Sequence, residues 1–70
     1  MTTTTTIGRM RRASGTSQVD LAIKAGLQPG LLCRYERGLR PSKRNACRVA
    51  AALGCAPEVA FPDFQRLREY

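Results

Sequence analysis

Apolar residues recur at helical spacing along most of the chain, and the residues between them are typical of helix boundaries. Leu21, Ala22 and Ala25 share one face of a short segment. Ser17 and Gly26 flank it, where a serine hydroxyl can cap the first backbone N–H groups and glycine readily adopts the left-handed conformation that ends a helix. The pattern predicts a helix of about two turns.

The same rules place three more helices and a final helical turn. Helical spacing predicts a first helix over residues 7–14, a third over residues 28–37, and a fourth between Ser42 and Gly54. A last turn is predicted over residues 57–61. The inward-facing residues predicted for the first, third and fourth helices are Ile7, Met10, Ala13, Leu32, Tyr35, Ala46, Val49, Ala50 and Leu53. No segment alternates in the way that predicts a strand.

Seventy residues are enough for one small domain. We expect a flexible Thr-rich arm over residues 1–6, a helical domain over residues 7–61 and a C-terminal tail over residues 62–70. The apolar residues are mostly Ala and Leu, so the core is small, and helices, which Ala favours, suit it best. The predicted fold class is therefore all-α, a compact domain of four to five helices.

The net charge of +7 is large for so small a body and is unevenly distributed. The stretch from Arg9 to Arg48 holds ten basic residues and two acidic ones, whereas residues 57–70 hold two basic and three acidic ones. A polyanionic partner is the first inference, and a merely solvated basic surface is the alternative. No run approaches the length of a membrane span, and no signal-peptide pattern opens the chain, so we expect a cytoplasmic protein without membrane contact.

The three cysteines do not form a recognisable metal or disulfide pattern. Cys33, Cys47 and Cys55 are odd in number, lack C-x-x-C spacing and have no histidine to complete a zinc site. We expect reduced thiols, with Cys47 and Cys55 as small core residues and Cys33 exposed. The chain also lacks a nucleophile elbow, a phosphate-cradling glycine motif and an acid pair. We therefore expect no metal, no cofactor, no catalytic residues and no enzymatic activity.

A set of short motifs, in a fixed order, resembles the lambda-repressor-like helix-turn-helix regulators, the Cro/cI-type or XRE family. The motifs are Met10-Arg11, Ser17-Gln18-Val19-Asp20-Leu21-Ala22, Ala25-Gly26-Leu27, Tyr35-Glu36-Arg37-Gly38, Pro41-Ser42, Ala50-Ala51-Ala52-Leu53-Gly54 and Phe61. The resemblance implies that the second and third helices form a helix-turn-helix, with the helix over residues 28–37 placed in the major groove of double-stranded DNA. It also implies a sequence-specific transcriptional regulator, with a phage or bacterial repressor as the leading hypothesis.

The resemblance further implies which residues meet the bases. The residues at groove-facing positions are Gln28, Pro29, Gly30, Leu31, Cys33 and Arg34. Arg34 is the best base-reading candidate, since a guanidinium can pair with a guanine edge and contribute ~1–3 kcal/mol of discrimination. The run Pro29-Gly30-Leu31 departs from the hydrogen-bonding side chains that relatives commonly place there. Three explanations stay open: close backbone approach at Gly30 with Leu31 on a thymine methyl, readout of DNA shape with Arg34 alone, or a protein-binding surface.

Other positions match family residues that contact the DNA backbone or hold the fold together. Gln18 matches a glutamine that contacts a phosphate and braces the reading helix, the alternative being ordinary polarity at a helix start. The basic residues expected to meet phosphates are Arg37, Arg40, Lys43 and Arg44, with a solvated loop as the alternative. Arg11 and Glu36 match a structural ion pair, and removing one partner of a buried pair could cost on the order of 3–5 kcal/mol. Thr16 and Ala60 stand where the family usually has Leu, so Phe61 and Phe64 are expected to fill the space.

The resemblance also implies a homodimer, at least on DNA, with half-sites about one helical turn apart. The proposed dimer contacts are Phe61, Phe64, Leu67 and Tyr70, and packing against the chain's own core is the alternative for Phe61. A second class of function is a protein-binding module on the same fold, such as a phage factor that docks on host transcription machinery or an antitoxin. RNA binding is less favoured, since the chain lacks aromatic residues interleaved for base stacking.

Overall fold

A computed structural model describes residues 6–69, which form five α-helices and a terminal 3-10 turn. The elements are α1 (Thr6–Ala13), α2 (Gln18–Ala25), α3 (Pro29–Glu36), α4 (Lys43–Leu53), α5 (Pro57–Ala60) and the 3-10 turn (Phe64–Arg66). No strand occurs within this range. The all-α prediction is confirmed. Helix α1 begins one residue earlier than the sequence predicts, at the last threonine of the predicted arm, and residues 1–5 lie outside the described range.

Helices α2 and α4 are both capped at the N-terminus by a serine side chain. The Ser17 hydroxyl accepts a hydrogen bond from the backbone N–H of Asp20 at 3.1 Å, and the Ser42 hydroxyl accepts one from Asn45 at 3.3 Å. Each bond satisfies one of the N–H groups that a helix start leaves without an intrahelical partner. Helix α3 begins differently, since Pro29 occupies its first position and has no N–H to satisfy.

Helices α2 and α4 end at glycines with positive φ, as their sequence predicts. Gly26 has φ +72° and Gly54 has φ +78°, values that a residue with a Cβ rarely adopts. The backbone N–H of Leu27 donates to the carbonyl of Ala22 at 2.9 Å, which closes the end of α2. The chain therefore reverses sharply between α2 and α3, and only residues 26–28 join the two helices.

The core lies where α2 packs against both α3 and α4. Its buried members are Ile7, Leu21, Ala22, Ala25, Leu32, Tyr35, Ala46, Val49, Ala50, Ala60, Phe61 and Leu67. Ala22, Ala46 and Ala50 are fully buried, so α2 and α4 contribute several small side chains to the interior. Small residues let helix backbones come close, and α3 packs against α2 in this interior.

Five residues predicted to face the core are not fully buried: Ala13 and Cys47 are exposed, for reasons of helix geometry, and Met10, Leu53 and Cys55 are half-buried. Ala13 is exposed because it is the last residue of α1, beyond the turn that packs inward, and Met10 is only half-buried. Cys47 is exposed because Ala46, Val49 and Ala50 set the inward face of α4 and position 47 is turned about 100° away from Ala46. Cys33 and Cys55 are half-buried, so neither expectation for them holds fully.

Residues 61–69 fold back onto the domain. Phe61 and Leu67 are buried, and Phe64 is half-buried against the core. Both aromatic residues thus contribute to the core beside Ala60. Phe61 and Leu67 consequently have little apolar surface to offer a partner copy, and Tyr70 lies outside the described residues. Over the described range, no helix has both the length and the apolar character needed to cross a bilayer.

Candidate nucleic-acid interface

Helix α3 presents one face to the core and the other to solvent. Leu32 and Tyr35 are buried against the rest of the domain, whereas Gly30 and Arg34 lie on the opposite, exposed face. Of the remaining predicted groove-facing residues, Gln28 and Pro29 are exposed, and Leu31 and Cys33 are half-buried. The structure therefore places Gln28, Pro29, Gly30 and Arg34 at the start and on the outer side of one anchored helix, whereas Leu31 packs partly against the core.

Arg34 is free to meet a partner. Its side chain has no ion pair or side-chain hydrogen bond within residues 6–69, and it projects from an exposed position in the last turn of α3. A guanidinium carries five N–H donors in a planar fork. Each of these donors remains available for an acceptor outside the domain.

The structure of the described residues gives no reason for a glycine at position 30. Its φ is not positive, and a Cβ added there would meet no heavy atom within 4 Å, so neither backbone conformation nor packing requires glycine. A glycine in a helix costs about 0.5–1 kcal/mol relative to alanine. The missing side chain leaves the start of α3 open to close approach from outside.

A cluster of polar side chains joins α1, α2 and α3. Arg11 Nε donates to Glu36 Oε2 at 2.7 Å, and Arg11 Nη2 donates to Glu36 Oε1 at 3.1 Å. Arg11 Nη1 also donates to the backbone carbonyl of Thr16 at 2.9 Å, and Gln18 Nε2 donates to Glu36 Oε1 at 3.2 Å. The pair implied by the resemblance therefore forms, and it includes Gln18 as a third member. The Thr16 carbonyl is a contact that the sequence did not reveal.

The electrostatics of this cluster favour the charged carboxylate. Burial alone would raise the pKa of Glu36, but hydrogen bonds from Arg11 and Gln18 outweigh it, so the pKa lies below its ordinary value. The hydrogen bond with Glu36 raises the pKa of Arg11, against the opposing effect of burial. Both groups stay ionised at neutral pH. Only 8% of the Glu36 side chain and 13% of the Arg11 side chain is exposed, which makes this pair the least hydrated of the three in residues 6–69.

A basic cluster follows α3 and consists of Arg37, Arg40, Lys43 and Arg44. Arg40 lies 3.5 Å from Asp63, and Lys43 lies 3.3 Å from Glu69. Arg37 and Arg44 are exposed and form no ion pair within the described part of the chain. The sequence predicts the same role for all four residues. In the structure, Arg40 and Lys43 form ion pairs, whereas Arg37 and Arg44 do not.

One polar contact at this surface was not expected from the sequence. Asn45 Nδ2 donates to the Tyr35 hydroxyl oxygen at 2.9 Å, which ties α3 to the first turn of α4. The buried side-chain nitrogens and oxygens of the described residues all have partners. Tyr35 and Asn45 are ten positions apart in the sequence, and no sequence motif predicts this hydrogen bond. The contact fixes the orientation of α3 relative to the basic cluster.

The concave feature beside this surface is open to solvent. An open groove of about 240 Å³ lies beside the α3–α4 loop, and its lining includes Leu39, Pro41 and Phe61. The described residues contain no cluster of histidine, cysteine or carboxylate side chains that could hold a metal ion. The exposed face of α3 and the basic cluster together present Arg34, Arg37 and Arg44 as exposed cations without an ion pair in the described part of the chain.

Two comparisons with known proteins bear on this surface. A family model described as helix-turn-helix matches residues 7–59, which include α2 to α4 and most of α1 and α5. No curated protein matches the chain. The matched range contains the exposed face of α3, the polar cluster around Glu36 and the basic cluster.

Proposed function

The chain belongs to the lambda-repressor-like helix-turn-helix family, and from that premise we propose that it is a transcriptional repressor that places α3 in the major groove. Members of this family are DNA-binding regulators. The observation that carries the proposal is the exposed face of α3, anchored from behind by Leu32 and Tyr35 and bearing an unpaired Arg34. The major groove of B-DNA is wide enough to admit such a helix.

Arg34 supplies the base contact in this proposal. Its free guanidinium can donate two parallel hydrogen bonds to the O6 and N7 atoms of a guanine. Pro29 and Gly30 have no side-chain hydrogen-bonding groups, so they cannot share that role. Direct readout therefore depends on few contacts, and DNA shape contributes the rest of the specificity.

Gln18 and the free cations supply backbone contacts. One amide N–H of Gln18 is directed to Glu36, which leaves the second N–H for a phosphate oxygen. Arg37 and Arg44 are exposed and unpaired, and each phosphate they neutralise releases counterions. We expect affinity to fall steeply as salt rises.

We propose that the protein acts as a dimer on DNA, because one domain that reads few bases gains affinity and specificity by pairing with a copy of itself. Among the residues predicted to contact the partner copy, Phe61 and Leu67 are buried in the core. The half-buried Phe64 is the described member of that set with more surface to offer. Size-exclusion chromatography with and without a bound duplex measures the stoichiometry.

The second candidate function is a protein-binding module on the same fold. The observation that favours it is an apolar pair on the outer side of α2, where Val19 is 52% exposed and Ile23 is 69% exposed. The two residues are four positions apart and therefore lie on one helix face. If a protein partner binds there, it should form a complex with the domain in the absence of DNA.

Replacing Arg34 with alanine tests the leading proposal. A pool of random duplexes is bound at near-physiological salt, and the retained fraction is sequenced. We expect an enriched palindrome, for which Arg34→Ala lowers affinity by about 5- to 150-fold for each half-site, as the ~1–3 kcal/mol of a bidentate guanine contact requires. The variant should fold normally, since the Arg34 side chain has no partner within the described part of the domain.

Arg9→Ala is the matched control, because Arg9 is another exposed arginine of the described range, lies on α1 outside the basic cluster and carries the same charge. We expect it to change affinity only slightly. If both variants lost the same affinity, Arg34 would contribute only its positive charge, and the proposed base contact would be contradicted. Salt-sensitive binding without any enriched sequence, together with a stable protein complex, would favour the protein-binding module.

Replacing Gly30 with alanine should separate stability from binding. We expect the free energy of unfolding to rise by about 0.5–1 kcal/mol, because alanine is the better helix former and its Cβ meets nothing in the domain. We expect affinity for the enriched duplex to fall by about tenfold, since a methyl group would interrupt the close approach of α3 to the DNA. Thermal unfolding and fluorescence anisotropy measure the two effects.

Gly26→Ala is the control for the Gly30 variant. Its φ of +72° strains any residue with a Cβ, so this substitution should lower stability without adding a group to the exposed face of α3. A Gly30→Ala variant that binds DNA as tightly as the native protein would show that no close approach occurs there.

A further inference from the structure

The C-terminal segment, residues 63–69, lies against the start of α4. The backbone N–H of Lys43 donates to the carbonyl of Arg68 at 2.6 Å, and the neighbouring Leu67 is buried. The Lys43 ammonium also lies 5.8 Å from the centre of the Phe64 ring. Three different interactions thus hold this segment in place beside the basic cluster.

The same segment places two carboxylates on cations of that cluster. Glu69 Oε1 lies 3.3 Å from Lys43 Nζ, and Asp63 Oδ2 lies 3.5 Å from Arg40 Nε. A carboxylate and a phosphate offer the same kind of anionic oxygen to an ammonium or a guanidinium. Each carboxylate therefore occupies a position that a DNA phosphate would take in the proposed function.

We propose that the C-terminal segment is an internal competitor of the DNA backbone, in which Glu69 and Asp63 neutralise Lys43 and Arg40 until a phosphate displaces them. This inference rests on the proposed function and adds the regulation of the same surface. Phosphate contacts supply essentially all of sequence-independent binding. By masking two of the four cations, the segment lowers the sequence-independent part of DNA affinity, and the unpaired Arg34 is not affected.

The strength of the competition is modest because water reaches both pairs. Glu69 is 78% exposed at its side chain, against 24% for Lys43, and the Arg40 and Asp63 side chains are also well hydrated. Exposed ion pairs contribute ~0.2–1 kcal/mol, which corresponds to a change of at most about fivefold in a binding constant. The carboxylates therefore yield readily to the dense charge of a duplex, and they do not block binding outright.

Replacing Glu69 with glutamine in the full chain tests the competition, with Glu58→Gln as the matched control. Both substitutions raise the net charge by one, but Glu58 is exposed on α5 and forms no ion pair within residues 6–69. Binding to a random-sequence duplex is measured across a salt series. We expect Glu69→Gln to raise affinity by about threefold at low salt, with a gain that shrinks as salt screens the ion pair that the native chain must break.

Glu58→Gln should produce a smaller increase. If the two glutamine variants behave alike, net charge explains the effect and the competition is refuted. If the native chain does not bind duplex DNA at all, the proposed function fails first, and that outcome is distinguishable because it does not depend on Glu69.

A second comparison tests whether the effect of Glu69→Gln on affinity acts through Lys43. In the native chain, Lys43→Gln should weaken binding to the random duplex only slightly, since Glu69 already neutralises the ammonium. In the Glu69→Gln background, the same substitution should weaken binding by about threefold, because the freed ammonium then contacts a phosphate. Equal effects in both backgrounds would show that Glu69 and DNA do not compete for Lys43.

Discussion

Replacing Glu36 with alanine is expected to lower the free energy of unfolding by about 3 kcal/mol, because the guanidinium of Arg11 is left nearly buried without its counter-charge. The estimate takes the lower end of the range for buried pairs because about a tenth of each side chain still meets water. Small domains have only a few kcal/mol in reserve, so a loss of this size would unfold a large part of the population near physiological temperature. Urea unfolding followed by circular dichroism measures the change.

A double-mutant cycle with Arg11→Ala tests whether the loss comes from the pair. Removing both partners should cost less than the sum of the two single losses, since neither charge is then left unpaired, and couplings of ~0.5–3 kcal/mol are typical for residues in contact. Additive losses would contradict a coupled pair. Glu58→Ala, which removes an exposed and unpaired carboxylate, should change stability by no more than about 0.5 kcal/mol.

The same pair makes stability depend on pH in acid. Because the pKa of Glu36 is lowered in the folded protein, its contribution is fully present above the ordinary glutamate pKa and is lost as pH falls through the lower folded value. Arg11 remains protonated throughout this range. Between about pH 5 and pH 3, the native protein should therefore lose more stability than Glu36→Gln, for which this titration is absent. Parallel pH profiles for the two proteins would refute the assignment.

Replacing Leu32 with alanine should cost about 3 kcal/mol, within the ~2–5 kcal/mol that a buried leucine loses with its contacts and its residual cavity. Leu32 is fully buried on the inner face of α3. Thermal and urea unfolding measure the loss. Affinity for the enriched duplex should fall as well, because the substitution loosens the helix that carries Arg34.

Leu39→Ala is the control for that experiment, since it makes the same chemical change at a half-exposed position in the loop after α3. Substitutions at such positions usually change stability by about 0.5 kcal/mol or less. A Leu32→Ala variant no less stable than Leu39→Ala would mean that α3 is not anchored through Leu32.

The sequence predicted the parts of the fold that depend on local chemistry. Serine caps and glycine ends are read from a few consecutive residues, so Ser17, Gly26, Ser42 and Gly54 mark the limits of α2 and α4 correctly. Helix α3 was predicted over residues 28–37, and the structure places its flanking caps at those two positions. Local propensity and helical spacing agree here, and packing has no reason to override them.

Contacts between distant residues needed either a resemblance or the structure. The pairing of Arg11 with Glu36 joins residues 25 positions apart, and only the family pattern suggested it. The sequence gives no sign that Glu69 pairs with Lys43, because that contact depends on the path of the chain after α5. The exposure of Cys47 was missed for a different reason, since cysteine is usually buried and its type outweighed the helical register.

The alanines buried between α2 and α4 have a consequence for association with DNA. Alanine has no side-chain rotamers, so Ala22, Ala46 and Ala50 fill the interior without losing rotational freedom when the helices pack. An interior of this kind has few alternative arrangements. Helix α3 would therefore meet DNA in the conformation that it keeps when bound, and little of the binding free energy would go into ordering the domain.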